Sequence, residues 1–136
     1  MLGKTRRAEV RAVIDDYAKR IARNCPIEIV EVRDGEAAAK KLDADRAAMA
    51  VLVDAGGKSW SSESFAKWLG EWRDRGTREM VFVCGDADGF PQELRERVAQ
   101  KISLSAMTYS HELARAMLAE QLYRAFAILS GSPYPR

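Results

Sequence analysis

Apolar residues recur at helical spacing along the first part of the chain. Val10, Val13, Ile14, Tyr17 and Ile21 share one side of a helix predicted over Thr5–Asn24, with Thr5 as a cap and Pro26 just beyond. Ile27–Val32 (IEIVEV) alternates and is rich in β-branched residues, which predicts a strand. Gly35–Leu42 reads as a short Ala- and Lys-rich helix. Met49–Val53 is an unbroken apolar run of the kind found in strands buried on both faces. A loop over Asp54–Lys58 follows. Ser61 or Ser62 then caps a helix whose stripe is Phe65, Trp68, Leu69 and Trp72. Met80–Val83 is a second buried strand, Gly85–Gly89 a loop, Pro91–Gln100 a helix and Ile102–Met107 the last strand. A long helix starts near Ser110 and stops at Gly131 and Pro133.

Helices alternating with buried strands imply an α/β fold: a mainly parallel sheet with helices on both faces. Ligands in such sheets bind at loops leaving the carboxyl ends of strands, here after Val53, Cys84 and Met107. The last helix is unusual. Leu113, Met117, Leu118, Leu122, Ala125, Phe126, Ile128 and Leu129 surround most of its axis, so its own core or a second subunit must cover it. Glu120 and Arg124 form an i,i+4 pair on one strip. Arg115 lies among the apolar residues, where a charge needs a partner or a task.

With 136 residues the chain is one domain, and 47% hydrophobic and 31% charged residues suit an ordinary globular protein. A net charge of +2 gives no strong basic field, so nucleic-acid binding would need basic residues gathered on one face. Cys25 and Cys84 are far apart, and with a single histidine no zinc-ligand spacing exists, so no metal is expected. No apolar run approaches a membrane span, and MLGKTRRAEV lacks the apolar core of a signal peptide. The expected location is the cytoplasm.

The C-terminal stretch carries the most specific pattern. Leu104, Ser105, Met107 and Thr108 are followed by His111, then Arg115, Glu120, Gln121, Tyr123, Arg124 and Ala125, and finally Pro133, Tyr134 and Arg136. This set resembles the tail of the RlmH family, S-adenosylmethionine-dependent SPOUT-class methyltransferases that act on a pseudouridine of large-subunit 23S rRNA. The resemblance extends to Asp54, Gly57, Lys58, Ser61, Ser62, Glu63, Phe65 and Ala66, and to the opening Gly3-Lys4 with its helix, so residues 1–136 form one SPOUT-like domain. It implies a C-terminal trefoil knot, a homodimer, and action on the N3 position in the ribosome. It also implies S-adenosylmethionine contacts at Val53, Gly85, Leu104, Ser105, Ala106, Met107, Thr108 and Tyr109. His111, Arg115, Arg124, Tyr134 and Arg136 are the implied catalytic set, each subunit lending its tail to the other's site.

Three features depart from the family. Asp86 replaces a glycine in the loop Gly85–Gly89, where its side chain would narrow the pocket and its charge would favour an amino or sulfonium group. Pro135 stands where the family usually has histidine. Only Met1 and Leu2 precede Gly3, so the family's first strand is truncated or missing. These departures sustain a second expectation, a non-catalytic dimer that binds rRNA or only itself. Asp86-Ala87-Asp88-Gly89 also matches the nucleophile loop of haloacid-dehalogenase-type phosphatases, but too little chain follows. An EF-hand fails because the twelfth loop position is Arg97.

Overall fold

The computed structural model describes residues 1–45 and 48–134. Arg46, Ala47, Pro135 and Arg136 lie outside them, so the catalytic expectation for Arg136 falls beyond the described residues. The chain runs α1 (Ala8–Ile21), α2 (Gly35–Ala44), β1 (Met49–Ser59), α3 (Ser62–Asp74), β2 (Met80–Cys84), α4 (Gln92–Arg97), β3 (Gln100–Ser103) and α5 (His111–Ser130). The three strands form a parallel sheet in the order β2-β1-β3.

Alternation along the strands divides the core in two. Leu52 and Val83 point to one face, where Leu2, Ala38, Leu42, Phe90, Leu94 and Val98 pack on them. Val51, Cys84 and Ile102 point to the other, beneath Phe65, Ala66 and Leu69 of α3 and Leu118 and Ala125 of α5. Helix α5 packs against both α1 and α3. At its crossing with α3, a Cβ on Gly70 would lie 2.8 Å from Leu129 Cδ2, so glycine sets the approach there.

Ile27–Val32 is not a full strand. Val32 bridges Leu2 and Val30 O accepts from the Met1 amino group at 2.9 Å, while Ile27 and Ile29 are exposed. Its sheet neighbour is the short stub Met1–Gly3, in which Gly3 N–H donates to Val32 O at 2.7 Å and Leu2 N–H to Cys84 O at 2.9 Å. The stub occupies the sheet edge beside β2.

Asp54–Lys58 is not a simple loop either. It bulges out of β1, which returns so that both Val53 and Lys58 register with Ile102. A Cβ on Gly57 would lie 2.7 Å from Ile102 N, a close approach that only glycine permits. Helix α4 ends at Arg97, short of the expected Gln100, because Gln100 and Lys101 already pair with β1. The last strand stops at Ser103, leaving 104–109 free of the sheet.

Caps follow the expected chemistry at Ser61 and Ser110, whose side chains accept from Ser64 N and Leu113 N. Gly131 closes α5 at φ 73°. Thr5 is not a cap. It is buried, and its Oγ1 accepts from Arg115 at 2.9 Å.

Arg115 is 0% exposed and is the largest fully buried side chain among the described residues. Its guanidinium donates to Leu2 O, Gly3 O and Thr5 Oγ1. A buried charge is retained only where such acceptors satisfy it. Removing it leaves two carbonyls and a hydroxyl buried and unpaired. Arg115→Ala is expected to lower stability by about 3 kcal/mol, read as an earlier urea midpoint with an unchanged slope. A midpoint within error of the native protein would contradict this assignment.

Candidate active site

Register brings the three predicted ligand loops to one end of the sheet. Val53 stands opposite Cys84 in β2 and Ile102 in β3, so Gly85 and the run from Leu104 both leave the sheet within two residues of it. A Cβ on Gly85 would lie 3.2 Å from Gly89 O, which shows how tightly that loop folds back. Asp86 does not project from it as the sequence suggests. Its Oδ1 accepts from Asp88 N at 2.9 Å and its carbonyl from Gly89 N at 3.0 Å, so the carboxylate caps its own turn.

Loop 104–109 is shaped by serines. Ser103 Oγ donates to Ser105 O at 2.8 Å, and Ser105 Oγ accepts from Met107 N at 2.9 Å. Leu104 packs on the core, whereas Met107 is 74% exposed and Tyr109 39%. Among the described residues, the main-chain N–H groups of Ala106 and Thr108 find no acceptor. This loop thus offers apolar side chains and open backbone donors together.

The predicted catalytic residues divide between the two ends of α5. His111 begins the helix beside loop 104–109. Arg115 faces inward onto the N-terminal stub, so in this chain it holds structure instead of facing a ligand. Arg124 lies thirteen residues beyond His111, about 20 Å along a helix. Glu120 Oε1 there accepts from Arg124 Nε at 3.0 Å, Arg124 Nη2 at 2.7 Å and the Tyr134 hydroxyl at 3.2 Å. The Arg124 guanidinium also lies over the Tyr134 ring, 4.7 Å from its centroid. A pocket of about 450 Å³ opens beside this group, lined by Ser62, Gln121, Arg124, Ser132 and Tyr134.

Sequence reasoning gave no role to two members. Tyr17 on α1 reads as part of an apolar stripe, yet its hydroxyl lies 3.2 Å from that of Tyr134. Tyr123 meets the Tyr134 ring edge-on at 4.8 Å. Glu112 was also missed: its Oε1 accepts from Arg6 N at 3.1 Å and Arg7 N at 3.0 Å. Those two bonds, the Arg7 one foremost, hold its carboxyl below the usual carboxylate range. A glutamate in a first helical turn ordinarily signals only the macrodipole, so nothing local reveals this contact.

An α/β chain with a parallel sheet and three loops meeting at one sheet end places its candidate ligand site at that end. Residues 1–135 match the family model described as "Predicted SPOUT methyltransferase". The chain belongs to the SPOUT methyltransferase family, in its RlmH branch. A protein of Geotalea daltonii named Ribosomal RNA large subunit methyltransferase H is 42% identical over 144 residues, covering 98% of this chain and 94% of the relative. A protein of the same name from Dinoroseobacter shibae is 40% identical, covering 100% and 96%. One from Koribacter versatilis is 38% identical, covering 98% and 92%.

The Tyr134 hydroxyl titrates well above its ordinary value of 10, because burial, the bond to Tyr17 and the nearby Glu120 carboxylate all disfavour the phenolate. A folded-state value above the unfolded one means that this group's contribution is intact below pH 10 and is lost as pH rises beyond it. In an ultraviolet titration one tyrosine is expected to ionise after the others, and Glu120→Gln to bring it earlier. Simultaneous ionisation of all tyrosines in the folded protein would show that the cluster does not form.

Proposed function

We propose that this methyltransferase moves the methyl group of S-adenosylmethionine to N3 of a pseudouridine in large-subunit 23S rRNA of the assembled ribosome. The proposal includes a homodimer, a C-terminal trefoil knot and a cytoplasmic setting. The observation that carries it is the near end-to-end similarity to relatives named for methylating large-subunit ribosomal RNA.

Loop chemistry fits the cofactor. Leu104 and Met107 supply apolar walls, and the open N–H groups of Ala106 and Thr108 supply donors for a purine edge. Val53, Gly85, Ser105 and Tyr109 complete the proposed binding set, with Gly85 allowing backbone to approach. When bound, S-adenosylmethionine supplies an electrophilic methyl on a positive sulfonium.

The protein's part is to place the imide nitrogen in line and to favour loss of its proton. His111, at the start of α5, is proposed to donate a hydrogen bond or relay that proton. Arg124, with Arg136, is proposed to offset the developing imide charge or grip phosphate. Tyr134 serves as a neutral donor, consistent with a hydroxyl that resists ionisation. Because Arg124 sits about 20 Å along α5 from His111, the two serve one site only if the tail comes from a second copy.

A non-catalytic rRNA-binding or merely self-associating dimer is the second reading, favoured by Asp86 in place of glycine. Against it, the Asp86 carboxylate is absorbed by its own turn. The test is methyl transfer from labelled S-adenosylmethionine to ribosomes lacking the modification, followed by nucleoside mass spectrometry. N3-methylpseudouridine is the expected product. Asp86→Gly is expected to leave cofactor affinity within about twofold, the effect of a change worth under about 0.5 kcal/mol. Absent transfer together with absent cofactor binding would establish the second reading instead.

A further inference from the structure

The segment Leu2–Arg7 is held more firmly than an irregular chain start needs. Every main-chain N–H from Leu2 to Arg7 except that of Lys4 donates to a distant partner. Leu2 reaches Cys84 O, Gly3 reaches Val32 O, Thr5 reaches Glu31 Oε2 at 2.8 Å, and Arg6 and Arg7 reach Glu112. Its carbonyls are held as well, Leu2 and Gly3 by Arg115 and Thr5 by Arg11 at 2.6 Å. Gly3 turns at φ 79°, which places Lys4 at the tip.

Two of the clamping groups, Arg115 and Glu112, are charged side chains buried on α5. Both lie within a turn or so of His111 and of loop 104–109. What this places at the surface is mainly basic charge, with the exposed Glu9 paired to Arg7. Lys4, Arg6 and Arg7 are all exposed. Nearby carboxylates are already engaged: Glu112 by backbone, Glu31 by Thr5 and Arg11, and Glu9 by Arg7 at 3.0 Å. Lys4 and Arg6 have no ion-pair partner among the described residues.

We propose that Lys4 and Arg6, with Arg7 beside them, form an edge that grips rRNA phosphates next to the methyl-transfer loop, and that Arg115 and Glu112 are the positioning residues that hold this edge in place. The inference rests on the proposed rRNA substrate and goes beyond it by assigning the contact to the N-terminal segment. Charge complementarity selects the partner. Exposed guanidinium and ammonium groups carried on an ordered backbone with an open N–H donor suit phosphate oxygens, and a basic cluster on one face is what a chain of small net charge needs to hold nucleic acid. Fixing the backbone before binding lowers the ordering cost of each contact.

The test uses the full chain with Lys4→Ala and Arg6→Ala combined, both changes confined to exposed side chains. Binding to ribosomes lacking the modification is measured from about 50 to 200 mM salt, alongside methyl transfer, thermal midpoint and S-adenosylmethionine affinity. Expected are a rise of about tenfold in the ribosome KM at low salt and a fall of about two in the slope of log affinity against log salt. The kcat, thermal midpoint and cofactor affinity should be unchanged. An unchanged KM and slope in the variant, with active native protein, would overturn the inference. So would a higher KM with an unchanged slope, which would point to a protein surface, or a loss of cofactor affinity, which would make the segment part of the cofactor site. Failure of the native protein to methylate would instead count against the proposed function.

Discussion

A single buried guanidinium ties the ends of this fold together. Arg115 sits in α5, late in the chain, and its bonds reach Leu2, Gly3 and Thr5 at the very start. With no ion partner in contact among the described residues, its Nη groups are held by carbonyl dipoles and a hydroxyl while Nε stays unpartnered, so its burial depends on all three acceptors converging. The cost of desolvating it makes the arrangement strict: a stub displaced from β2 would strand the charge. The chain start at the sheet edge and α5 are therefore coupled through one residue.

That coupling explains why the active-site end of the protein is more than its loops. The three loops at Val53, Gly85 and Leu104 follow from strand register alone, and any parallel sheet with these pairings would gather them. What borders them is a different matter. α5 begins with the capped turn at Ser110, and the carboxylate of Glu112 then captures the approach to α1 through two N–H groups. Cap, histidine and N-terminal clamp thus occupy consecutive positions, so the local order of the ligand loop and that of the chain start depend on the same helical turn.

Much of this was legible in the sequence where a pattern spans many residues. Helices with a stripe and a cap, and the apolar runs at Met49 and Met80, sit where periodicity puts them because burial on a defined face selects for it. Isolated backbone events were not legible. The bulge after Val53 depends on Gly57 meeting the Ile102 backbone, and IEIVEV has strand composition without a partner long enough to pair it. Arg115 was legible as a charge needing a partner. That the partner would be main-chain carbonyls more than a hundred residues away was not, since backbone acceptors are the same at every position. The family pattern found the loop residues, the tail and Tyr123 without giving Tyr123 a role, and it did not find Tyr17 or Glu112, whose contacts cross between elements.

The far end of α5 follows the opposite physical logic. Around Tyr134, one Glu120 oxygen accepts from both Arg124 nitrogens and a phenol, and aromatic rings close the rest. These groups are only partly buried, so the network is ordered without being sealed, and its donors remain close to the surface pocket beside Ser62 and Gln121. A tail held by one carboxylate and two tyrosines is stiff enough to present Tyr134 at a fixed place, beside Glu120 and nine residues along α5 from His111. A helix cannot fold back to join its own ends, so within one chain Arg124 and His111 stay about 20 Å apart, and no bending of the tail cluster alone brings them together.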